Sequence, residues 1–164
     1  MGRSKTPKVS QNPFKGARKT PHAVLAADVV RVPKAATPVP SDENQRKVRF
    51  LFDLVDHDGD WSLLDISKED HSRLLDVMAQ VEQMTAGELF KPGQRLCKTY
   101  SDMAACPNSK ATDRLVNRYE GLDHMVRLEI DGVKRLYGVR AGHEFHIIWW
   151  DPKHEVWPSK LHNT

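Results

Sequence analysis

Between residues 125 and 159 the apolar and polar positions fall into three runs separated by two turn signals. Val126, Leu128 and Ile130 alternate with Arg127 and Glu129, the period of a half-buried strand. Asp131-Gly132 follows, a pair suited to the type I′ hairpin turn because both central residues there need positive φ. Residues 133–140 return, Ala141-Gly142 turns again, and residues 145–150 make a third run. Asp151-Pro152 ends the ladder, since proline has no N–H to donate. The pattern predicts a three-stranded antiparallel meander, extended by Glu155, Val156 and Trp157.

Upstream, Val48, Phe50, Phe52 and Leu54 alternate with Arg49, Leu51 and Asp53 and predict a strand with one apolar face. Ser67 reads as an N-cap, with Glu69 and Asp70 in the turn where the helix dipole favours anions. Leu74, Leu75, Val77, Met78, Val81 and Met84 then recur at helical spacing, predicting a core-facing helix over residues 68–83. Thr85 and Glu88 form a capping box that opens a short helix at residues 86–90. Residues 91–109 read as a loop around Pro92-Gly93 and Pro107-Asn108. A third helix runs from Ser109 or Lys110 through Tyr119, striped by Leu115, Val116 and Tyr119 and closed by Gly121. Helices kept apart from antiparallel strands make an α+β fold, a meander packed against two or three helices.

Charge divides the chain. Residues 1–40 hold eight Lys/Arg against Asp28 alone, leaving 17 basic and 21 acidic side chains in the rest. The same stretch carries six of the ten prolines, too little apolar surface to offset ordering entropy. Residues 1–45 are therefore expected to be a disordered, basic, Pro-rich tail, either an arm that follows phosphates or a solubilising extension. Residues 46–164 are expected to be a single domain. No run is apolar enough to span a membrane, and Asp28 and Arg31 interrupt the nearest approach to a signal-peptide core, which points to a cytoplasmic protein without a membrane partner. Cys97 and Cys106 lack neighbouring His or Cys and read as reduced thiols. The acidic turn at Asp56 is no EF-hand, because Trp61 and Ser67 stand where glycine and an acid are needed. No Gly-rich phosphate loop, nucleophile elbow or H-E-x-x-H occurs, and no cofactor or metal is expected.

Chemistry concentrates in the meander. His143, His146 and His154 lie in or beside it, each a candidate general acid or base or an ordinary strand-end histidine. Residues three apart on a strand face opposite sides, which disfavours a metal shared by His143 and His146 near Asp151. Arg127, Lys134, Arg135, Arg140 and Lys153 crowd cations beside Tyr137, an arrangement suited to a phosphodiester or, equally, to a solvated face with a Glu129–Arg135 ion pair. Trp149 and Trp150 must face opposite sides, so one is core and the other is either packed under a helix or a stacking platform, which Trp157 joins.

The run K-R-L-Y-G-V-R-A-G-H-E-F-H-I-I-W-W-D-P-K-H-E-V-W behind two helices resembles the C-terminal part of the RelE/ParE-type toxin superfamily. It is also similar to a group of short bacterial and phage proteins with a G-x3-G-x2-F-H-x2-W-x-D-P-x-H core. The likeness is specific over residues 125–157, and the acidic body and the strand near residue 50 depart from the pattern. The resemblance implies a metal-independent endoribonuclease acting on mRNA, free or on the ribosome, and neutralised by an antitoxin partner. It implies working roles for Arg135, Tyr137, Arg140, His143, His146, Lys153 and His154, all but Lys153 read as catalytic; the residue pattern itself offers Lys134, Lys153 and Trp150 as nucleic-acid contacts. The alternative is a non-catalytic protein- or nucleic-acid-binding module.

Overall fold

The computed structural model describes residues 30–31, 41–120 and 122–158. Val30–Arg31 (β1) pairs in parallel with Tyr119–Glu120 (β4). The main sheet has five strands, Arg49–Leu51 (β2), Cys97–Tyr100 (β3), Met125–Asp131 (β5), Lys134–Ala141 (β6) and Glu144–Asp151 (β7), in the order β2-β7-β6-β5-β3. The expected meander is β5-β6-β7, but its turns are Gly132-Val133 and Gly142-His143, one residue later than expected, and only their glycines have positive φ, which excludes type I′. β2 joins β7 in parallel and β3 pairs antiparallel with β5. The fold is α+β.

The helices follow their caps. Lys68–Val81 (α2) starts where the Ser67 side chain accepts the Asp70 N–H, and Ala86–Leu89 (α3) starts on the Thr85–Glu88 capping box. Ser109–Arg118 (α4) is capped by Asn108, whose side chain accepts from Lys110 and Ala111 N–H. It ends at Tyr119, and Gly121 lies outside the described residues. A fourth helix, Ser41–Gln45 (α1), was unexpected: it lies within the stretch read as tail and docks through Glu43 on His143. The rest of the tail reading, β1 apart, falls outside the described residues.

Helices cover both sides of the sheet. Leu74, Val77 and Val81 of α2 and Leu89 of α3 pack with Leu128, Ile147 and Trp150 on one face. Leu115 of α4 packs with Trp61, Tyr119, Tyr137, Ile148 and Trp149 on the other. Each such side chain contributes about 1.5–3 kcal/mol by leaving water. Trp149 and Trp150 do face opposite sides, but both are buried, because each side has its own helical layer. A β-bulge where Tyr137 and Gly138 face Trp149 and Ile147 sets Ile148 and Trp149 on the same side. Gly138 leaves the room this bulge needs, since a Cβ there would lie 2.2 Å from the His146 carbonyl oxygen and 2.5 Å from the Phe145 ring.

Three further expectations are corrected. The segment 91–109 contains β3, a strand of only four residues with two buried, too short for its period to register. Phe52 is exposed because β2 ends at Leu51 and the chain turns away. Residues 155–157 form no fourth meander strand: both oxygens of buried Asp151 accept backbone N–H groups, from Lys153, Glu155 and Val156, and fold the chain into a loop.

Cys97 and Cys106 are free and buried, and burial pushes the Cys97 thiol up to about 12 despite nearby Arg140 and Arg127. Burial also raises Cys106, whose thiol donates to the Val156 carbonyl at 3.1 Å. Both thiols are expected to resist a disulfide reagent at neutral pH until guanidinium unfolds the chain. Rapid reaction of the native protein would contradict this packing.

Candidate functional site

The meander's register decides which candidates meet. On the face carrying α4, Lys98 of β3 stands beside Arg127 of β5, which stands beside Tyr137 of β6. In the next row Glu129 faces Arg135, which faces Asp151. The loop shaped by Asp151 returns His154 over these rows, its Nε2 3.4 Å from Arg127 Nη1. Arg135, Tyr137 and His154 are thus brought together, and Arg127, Lys98 and Tyr100 join them.

Polar atoms here are under-satisfied. Arg127 Nε, Arg135 Nε and the Tyr137 hydroxyl are buried without a hydrogen-bond partner. Such atoms each cost about 1–3 kcal/mol when left unpaired, so an incoming acceptor is favoured. Arg135 is braced by the Gly132 and Lys134 carbonyls and lies 3.7 Å from Glu129, so the cross-strand ion pair is also present. Burial, then Arg135 and Arg127, depress the His154 pKa below its ordinary value, which keeps the ring neutral near pH 7. Burial raises Tyr137 and Tyr100 and holds both phenols protonated. His154 occupies φ 59°, the left-handed region that a side chain rarely adopts. Tyr100 stacks on Trp157 at 4.1 Å between centroids, and Lys98 Nζ lies 4.9 Å from the centre of the same phenol ring.

The other candidates lie elsewhere. Arg140 donates to Gly142 O and Asn44 Oδ1 and stacks its guanidinium 4.3 Å from the Phe90 ring centre, which ties the hairpin to α1 and α3. His143 Nδ1 meets Glu43 and His146 Nδ1 meets Asp53 at 2.8 Å. With Asp151 spent on backbone N–H groups, His143, His146 and Asp151 do not gather, and among the described residues no three His, Cys, Asp or Glu side chains do. Lys134 is held by Asp70 in the first turn of α2, and Lys153 is exposed beside His154. Trp150, offered as a nucleic-acid contact, takes the other expected course: it is packed under α2 and offers no face to a base.

Lys98 and Tyr100 escape a reading by pattern because β3 was not recognisable as a strand. Arg127 stood out only as one cation among several, and the register is what separates it from Lys134. Among the described residues no helix is long and apolar enough to cross a membrane. No family model, curated protein or solved structure matches this chain.

Proposed function

We propose that this chain is an RNA-directed protein of RelE/ParE toxin type, a metal-independent endoribonuclease acting in the cytoplasm on free or ribosome-bound mRNA and held in check by an antitoxin-like partner. The observation that carries the reading is His154: a ring kept neutral, with its Nε2 turned to Arg127, where a phosphate drawn to the guanidinium would arrive. In this mechanism Arg127 transfers its Nη1 hydrogen bond from Nε2 to the arriving phosphate, and the freed Nε2 takes the proton of a ribose 2′-hydroxyl. The 2′-oxygen attacks the adjacent phosphorus, the bond to the 5′-oxygen breaks, and Lys98 gives that oxygen a proton. Arg127 and Arg135 stabilise the charge that builds on the phosphate. Tyr137, fully buried, stacks on the Tyr100 ring and stands beside Arg127 in the sheet rather than touching substrate.

The second reading, a binding module without catalysis, is favoured by Arg135, whose Glu129 pair and two carbonyl acceptors engage Nη1 and Nη2 in holding the hairpin. Inducible expression in a bacterial host separates the two. Growth arrest with loss of mRNA, abolished by Arg127→Ala and retained by Arg140→Lys, is the expected result. Normal growth with intact RNA would move the weight to the binding module.

A further inference from the structure

β3 is one of the two outer strands of the sheet, and among the described residues it pairs on its β5 side alone. Beside its free edge, the chain after α3 turns at Pro92-Gly93, with Gly93 at φ 79°, and leaves a cleft of about 590 Å³. Lys91, Arg95, Lys98 and Arg127 line it together with Phe90 and Glu129. Among the described residues none of those four cations pairs with a carboxylate, and Glu129 already lies against Arg135. The surrounding domain is acidic, so a cleft with four uncompensated cations against one engaged acid is not a product of composition. Arg127 is shared with the cluster that holds His154, and its buried Nε is unpartnered.

Cations along a groove next to an aromatic side chain suit a single strand, whose phosphates follow the groove and whose bases are free to stack. Trp157 is half-buried, stacked on Tyr100, with Lys98 over that ring. A duplex keeps its bases inside and has none to place there. Resting on the RNA-directed reading above, we infer that the cleft along β3 is the substrate track: it seats single-stranded RNA, with phosphates on Lys91, Arg95, Lys98 and Arg127 and a base on Trp157.

Fluorescence anisotropy of the full chain with a labelled 2′-O-methyl oligouridylate tests this, because that strand has no 2′-hydroxyl nucleophile and stays intact. Single strand is expected to bind about tenfold more tightly than the same strand annealed to its complement. Each phosphate contact on a single strand adds ~0.7 to the slope of log affinity against log salt, so the Lys91→Ala/Arg95→Ala variant should lower the slope by about 1.4. Both side chains are exposed, so the double variant is expected to fold. Trp157→Leu should weaken single-strand binding and leave duplex binding alone. The basic N-terminal segment is present in every variant and cancels between parent and variant. An unchanged slope, equal affinity for duplex, or equal displacement by polyglutamate would overturn the track. Binding as described without cleavage of ordinary RNA would count against the nuclease reading alone.

Discussion

Replacing Asp56 with alanine is expected to lower the unfolding free energy by about 3 kcal/mol, measured by guanidinium denaturation. Asp56 lies under α4, fully buried, where its carboxylate accepts Arg114 Nε at 2.7 Å, Arg114 Nη2, Trp149 Nε1 at 3.0 Å and Asp58 N–H at 3.2 Å. This one group therefore joins α4, the acidic turn and β7. The Tyr119 hydroxyl adds a parallel tie to the Leu54 carbonyl. Removing one partner of a buried pair costs about 3–5 kcal/mol because the other charge is left uncompensated. Arg114 keeps access to solvent, which puts the loss at the low end, and the orphaned Trp149 N–H adds to it. The pH dependence has a definite sign. Burial opposes ionisation, but Arg114, Trp149 and the Asp58 N–H outweigh it and hold the Asp56 pKa at about 2. A depressed carboxylate pKa stabilises the fold above its unfolded value, about 4, and that contribution is lost as pH falls toward 2. The deficit of Asp56→Ala should be full at neutral pH and shrink across that window. A variant as stable as the parent at neutral pH would mean that α4 is held by its apolar face alone.

His154→Gly is expected to remove RNA cleavage by about 100- to 10,000-fold while leaving stability equal or raised. A general base contributes within that range, and Nε2 is the atom placed on Arg127. Glycine relieves the left-handed φ of 59°, so the two effects separate. A merely structural histidine would show loss of stability, or no loss of rate. Because burial and two arginines depress the imidazole pKa, the acid limb of kcat/KM should fall below the ordinary histidine value, and activity should be flat through neutral pH.

The meander was legible because two-residue turns and strict alternation leave little freedom in β5, β6 and β7. The same holds for α2 and α3, whose caps carry their own hydrogen bonds. What pattern could not supply was the second helical layer. Trp149 and Trp150 look alike in sequence, and only the placement of α4 opposite α2 buries both. The site was half legible for a similar reason. Arg135, Tyr137 and His154 share one end of the sheet, while Arg140 and His143 are drawn to α1, an element hidden in a basic, Pro-rich context. Lys98 and Tyr100 depended on β3, whose four residues show no period until β5 is beside them.

The most direct test of an RNA-directed His154–Arg127 site uses purified full chain in the presence of a chelator. A single-stranded RNA and its all-deoxy counterpart are incubated with the parent and with His154→Gly, and the product ends are analysed. Cutting of the RNA to 2′,3′-cyclic phosphate ends, an untouched deoxy strand and an inactive His154→Gly are the predicted results. RNA that stays intact, or is cut equally well by His154→Gly, would contradict it.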